Sequence, residues 1–125
     1  MAKQLRIGLF LAGTGHHVAS WRHPRAQADG AMNLSYLKNI AKKAEQGKLD
    51  MLFLADSLSV NAKSHPNILS RFEPFTLLAI LAAETEKIGL AATGSTTYSV
   101  RLADIAVQIS IRQGSSYNIT FAYMK

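Results

Sequence analysis

The side chains with the greatest chemical reach fall in three clusters. These are His16-His17 with Trp21-Arg22-His23-Pro24, Asp56, and Thr93-Gly94-Ser95-Thr96-Thr97. Each comes just after an apolar, strand-like run. Asp56 directly follows Phe53-Leu54-Ala55, where a carboxylate at the mouth of a sheet can accept a hydrogen bond from a ligand hydroxyl or ring N–H. An aspartate that opens a loop by capping its own backbone would occupy the same position. The hydroxyls and small residues from Thr93 to Thr97 suit a bound phosphate, and they suit an ordinary turn equally well. Trp21 offers a flat apolar wall, while Arg22 and His23 offer donors to an anionic substrate. Histidine can also move a proton near neutral pH. The alternative is a Trp21 that packs as a lid and an Arg22 that pairs locally.

Several chemistries are excluded or disfavoured. The spacing of His16, His17 and His23 matches no zinc pattern, and no nearby carboxylate or cysteine completes one, so no metal site is expected. Gly13-Thr14-Gly15 belongs to neither GxGxxG nor GxxxxGK[ST], which disfavours a Rossmann dinucleotide site. There is no GxSxG and no recognisable Ser-His-Asp set. The chain has no cysteine, so disulfides and thiolate chemistry are ruled out. Its 14 basic and 8 acidic residues give a net charge of +6. The basic residues are scattered, however, and only Lys42 and Lys43 are adjacent. A weak attraction to anions follows, whereas a nucleic-acid groove would need a basic stripe interleaved with aromatics. No apolar stretch approaches the ~18 residues that cross a bilayer. The apolar run in MAKQLRIGLFLAG is short and reads as a buried first strand rather than a signal peptide. A soluble, cytoplasmic protein is expected.

The elements that would position these clusters alternate in type. Residues 5–12 (LRIGLFLA) read as a strand covered on both faces. A polar loop follows to about Gly30. Asn33 or Ser35 can cap a helix running to about Gln46, with Leu37, Ile40, Ala41 and Ala44 on one face. Gly47 suits a left-handed stop. Residues 49–55 (LDMLFLA) form a second buried strand, and another polar loop leads to Pro74 in the first turn of a second helix. That helix is apolar nearly all round until Glu84, which predicts packing on more than one side. Residues 88–92 (IGLAA) form a third strand. In the tail, residues 106–111 alternate like a strand, and residues 117–123 form another candidate. This order predicts an α/β fold with a parallel sheet and right-handed crossovers.

The strings WRHP, FLADSL and RFEPFTLLAILAAETEKIGLAATGSTTYS together resemble the amino-terminal part of the nitrilotriacetate monooxygenase component A family. These are bacterial-luciferase-like, FMN-dependent monooxygenases. The resemblance covers residues 4–99. It implies the amino-terminal portion of a TIM (β/α)8 barrel, about three β/α units of it. It also implies a two-component reaction: reduced FMN, supplied by a separate NADH-dependent flavin reductase, and O2 oxidise a small organic substrate with C–N or C–S cleavage. Carried onto this chain, Asp56 and Thr93 match positions that contact FMN. Trp21, Arg22 and His23 fall in a loop at the active-site mouth, on the substrate side.

The resemblance stops at Ser99. The family continues with Glu-Pro, an Ala- and Arg-rich helix and an SGGRAGWN stretch, whereas this chain continues with Val100-Arg101. The expected organisation is therefore a barrel portion over residues 1–99 and a divergent tail over 100–125, of the kind a frameshift produces. At 125 residues the chain is well short of the ~250 of a closed barrel. Such a portion leaves sheet edges open and is expected to form homo-oligomers. The competing expectation is a non-catalytic fragment or interaction module that assembles through its exposed edge.

Overall fold

The computed structural model describes residues 5–17, 19–56, 62, 64 and 69–93, together with the backbone of 119–122. Within it, short apolar runs form strands and the amphipathic stretches between them form helices. The order is β1 (Gly8–Phe10), α1 (Leu34–Gln46), β2 (Met51–Leu54), α2 (Pro74–Glu84), β3 (Gly89–Thr93) and β4 (Ile119–Ala122). All four strands are parallel and lie in sequence order in one sheet. The register aligns Gly8 with Met51 and Gly89, and Phe10 with Phe53 and Ala91. Parallel order brings every strand's carboxyl end to the same edge.

Both helices form for local reasons. The Asn33 side chain accepts from the Tyr36 N–H at 3.0 Å and caps α1, while Leu37, Ala41 and Ala44 are buried. Pro74 begins α2, where its missing N–H costs nothing. Glu73 caps that helix by accepting from the N–H groups of Phe75 and Thr76 at 2.9 and 2.7 Å. The expected packing of α2 on more than one side is not found among the described residues: Pro74, Leu77, Leu78, Leu81 and Ala82 are buried at the i, i+3, i+4, i+7, i+8 spacing of a single face, while Thr76, Ala79 and Ala83 are exposed. Leu77, Leu78, Leu81 and Ala82 form the core between helices and sheet with Leu52, Leu54, Ile88, Leu90 and Ala92. Each fully buried side chain such as Leu52, Leu81 or Ile88 stabilises the fold by roughly 1.5–3 kcal/mol.

Two further expectations are corrected. The first strand is not covered on both faces. It is an edge strand of three residues, and Leu5, Ile7 and Phe10 are 82%, 50% and 47% exposed. Its apolar content signals a sheet strand, but among the described residues it pairs with β2 alone. The left-handed residue after α1 is Lys48 (φ 58°), not Gly47 (φ −72°). The Leu49 N–H reaches Ala44 O and the Lys48 N–H reaches Glu45 O, a Schellman closure that places Gly47 as the last helical cap and Lys48 just beyond it.

The candidate strand at residues 106–111 lies outside the described residues. Within 117–123, Ile119–Ala122 does form a strand, pairing with β3 and aligning Thr93 with Ala122. Among the described residues, no helix is long and apolar enough to cross a membrane.

Candidate active site

The two edges of the sheet differ in what they carry. The amino edge is stapled. Asp50 accepts from the Ile7 N–H and from Arg6, both at 2.8 Å, which lowers its pKa: the Arg6 guanidinium contributes most, then the Ile7 amide. Glu45 accepts from the N–H groups of Glu86, Lys87 and Ile88, tying the end of α1 to the segment entering β3. Burial opposes the charge on Glu45, but these three amides outweigh it and hold the carboxyl below its usual range.

The carboxyl edge is hollow. A cavity of ≈ 330 Å³ opens there, lined at the ends of β1 and β2 by Phe10, Leu11, Leu54 and Ala55. Leu37 of α1 and Pro74 and Leu77 of α2 form its floor, and Gly13, His16, Arg71 and Phe72 border it from the loops. The walls are mainly apolar, with one guanidinium and one imidazole as polar groups. This is the usual composition of a pocket for a small organic molecule.

Its polar groups are held by short, local interactions. Arg71 sits in the extended segment just before the Glu73 cap and points back across the connection to β2. Its Nη2 donates to Asp56 Oδ1 at 2.9 Å and its Nη1 to the Ala55 carbonyl at 3.4 Å. His16 Nε2 lies 3.0 Å from the Phe10 carbonyl oxygen, and its ring packs on the Phe10 ring with centroids 4.6 Å apart. Phe10 in turn packs against Phe53 at 5.4 Å. The loop carrying His16 is pinned at its base because Gly13 and Gly30 meet backbone to backbone. A Cβ on either would run into the other's segment.

The candidate residues are only partly gathered. Asp56 lies beside the cavity, adjacent to Ala55 and bound to Arg71. Thr93 ends β3 on the neighbouring strand, one level below Asp56, because Leu54 aligns with Ala92. Strand alternation puts Thr93 on the face of Ala91 and Phe53, opposite the helices. Trp21, Arg22 and His23 lie in and just after a single 3₁₀ turn, Ser20–Arg22, and are exposed. The Arg22 guanidinium lies over the Trp21 ring, 5.8 Å from its centroid. None of the three lines the cavity. The described histidines have separate jobs: His17 Nδ1 accepts from Ala19 N–H and His23 Nδ1 from Arg25 N–H, while His16 lines the cavity. Ser95, Thr96 and Thr97 lie outside the described residues. Arg71 and Phe72 were not legible as site residues. Their one signal is their place directly before the Glu73-Pro74 helix start.

Residues 14–110 match the model of the luciferase-like monooxygenases. The N-acetyl-S-(2-succino)cysteine monooxygenase of Bacillus subtilis (strain 168) is 72% identical over 97 residues, covering 78% of this chain and 22% of that protein. Nitrilotriacetate monooxygenase component A of Aminobacter aminovorans, from the branch the sequence strings resemble, is 39% identical over 109 residues, covering 78% of this chain and 24% of that protein. Among solved structures, riboflavin lyase with a modified FMN and riboflavin is similar with a TM-score of 0.69 and 36% identity, covering 87% of this chain and 27% of that one. The chain thus spans about a quarter of the length of the relatives it matches. Its α/β fold is the amino-terminal portion of their TIM barrel.

Proposed function

The chain belongs to the luciferase-like monooxygenase family, and from that premise we propose that it serves FMN-dependent monooxygenation of a small organic compound. The observation that carries this reading is the hollow carboxyl edge of the sheet, with the Asp56 carboxylate fixed beside an apolar cavity. A flat ring system with a polar rim suits that combination: apolar walls for the ring and an acceptor for a ring N–H. Asp56 and Thr93, at the ends of neighbouring strands, are the flavin contacts. Trp21, Arg22 and His23 form an outer wall on the substrate side. Reduced FMN, delivered by a separate NADH-dependent flavin reductase, supplies the activation of O2, and the protein binds, orients and excludes water. The name of the 72% identical relative, an N-acetyl-S-(2-succino)cysteine monooxygenase, supports a carboxylate-bearing thioether as substrate.

Titration of the purified chain with FMN, followed by flavin fluorescence, tests the reading. Saturable binding is expected, weakened about tenfold or more in Asp56→Ala, the loss that one hydrogen bond to a charged group implies. Absence of saturable binding would sink the flavin assignment. A second reading, a module that assembles through its sheet edge, is favoured by the exposure of Leu5, Ile7 and Phe10 on and beside β1. Concentration-dependent oligomers without flavin affinity would support it.

A further inference from the structure

Among the described residues, Arg71 is the one basic side chain that both borders the cavity and holds the candidate flavin-side carboxylate. We propose that Arg71 is the positioning residue for Asp56, fixing that carboxylate so that it accepts from the polar rim of the bound ring; this rests on the flavin reading above.

Three observations carry the inference. First, β2 ends at Leu54, so Ala55 and Asp56 lie beyond the strand as it leaves the sheet. Arg71 grips both, the backbone through the Ala55 carbonyl and the side chain through Oδ1. A guanidinium can do this because its donors point in fixed directions in one plane, which an ammonium group cannot match. Second, the residues are 15 apart in sequence and close the base of the whole connection from β2 to α2. Arg71 itself stands two residues before the Glu73 cap, which anchors α2. The helix start thus supplies a rigid base from which the guanidinium reaches back. Third, the pair is a weak source of stability: its side chains are 29% and 35% exposed, and ion pairs in that range contribute little. Its geometric effect is larger, since it sets the direction of a group beside the cavity.

The alternative role for Arg71, direct contact with an anionic group of the ligand, makes a different prediction. A double-mutant cycle on the full chain, with FMN as the probe, separates the two. Arg71→Met should weaken FMN binding several-fold in the parent chain and have no further effect once Asp56→Asn is present. A general loosening of the fold would weaken binding in both backgrounds, so the vanishing effect is specific to positioning. The same cycle with Arg71→Lys, which keeps the charge and protects folding, decides the matter if Arg71→Met does not fold. It should show a smaller loss that also disappears with Asp56→Asn. Losses that add to that of Asp56→Asn would overturn the proposal, as would variants that bind FMN like the parent. If the parent chain itself fails to bind FMN, the flavin reading falls and the proposal with it. That outcome is distinct from additive losses, which leave flavin binding standing and remove only the role of Arg71.

Discussion

Gly13 and Gly30 press their backbones together at the base of the loop that brings His16 to the cavity. A methyl group on Gly13 would overlap the backbone of Ala31, which has no flexible end to move aside. Gly13→Ala should therefore destabilise the chain by about 1–3 kcal/mol, as overpacking does, and urea unfolding measures it. Asp56 was legible from sequence because a lone carboxylate stood directly after an apolar run. Arg71 was not, because its partner is 15 positions away and only the parallel crossover brings them together. The Trp21-Arg22-His23 trio shows the converse. Its composition suggests a binding wall, but residue type does not say how far from the cavity a long loop places it. The structure puts all three on an exposed turn with Arg22 stacked on Trp21.

At the scale of elements, periodicity and capping chemistry were strong guides. The cap at Asn33 rather than Ser35, the 37/40/41/44 face (with Ile40 only partly buried) and the Pro74 start all follow from local rules and all appear in the structure. Burial of a strand is a different matter, since an apolar run marks a strand that has a partner somewhere. It does not say whether the described part of the chain supplies one, and so β1 read as covered although it lies at an edge. The helix stop was misread by one residue. Gly47 is present and the closure is of the expected kind, but the left-handed position falls on Lys48, where a side chain crowds the backbone. A glycine there removes that crowding, at some cost in unfolded-state entropy. Lys48→Gly should stabilise the chain by roughly 0.5–1 kcal/mol, seen as a higher midpoint in thermal denaturation.

Across the whole molecule, the two sheet edges divide the work. The amino edge holds the fold through Asp50 and Glu45, and the carboxyl edge holds the cavity. This division matches barrel proteins generally, in which one end stabilises and the other carries the chemistry. The helices are joined to each other by charge as well as by the core. Glu84, at the end of α2, lies 2.9 Å from Lys38 and 2.6 Å from Lys42 on α1. The hydrogen bonds from Lys42 and then Lys38, and after them the charges themselves, lower its pKa from 4.5 to about 2. The folded state therefore favours the ionised carboxylate. That contribution is complete above about pH 4.5 and fades as the pH falls through about 2, where the group is protonated in both states. Glu45 and Asp50, shifted in the same direction, lose their contributions over the acid range as well. Acid should thus loosen the α1–α2 contact and the amino edge together. Glu84→Gln should be less stable than the parent near pH 7. The gap should narrow steadily below about pH 4.5 and close near pH 2, in denaturation curves taken across that range. A gap that stayed constant with pH would mean that the two lysines do not favour the charged form, and that α1 and α2 are held by their apolar faces alone.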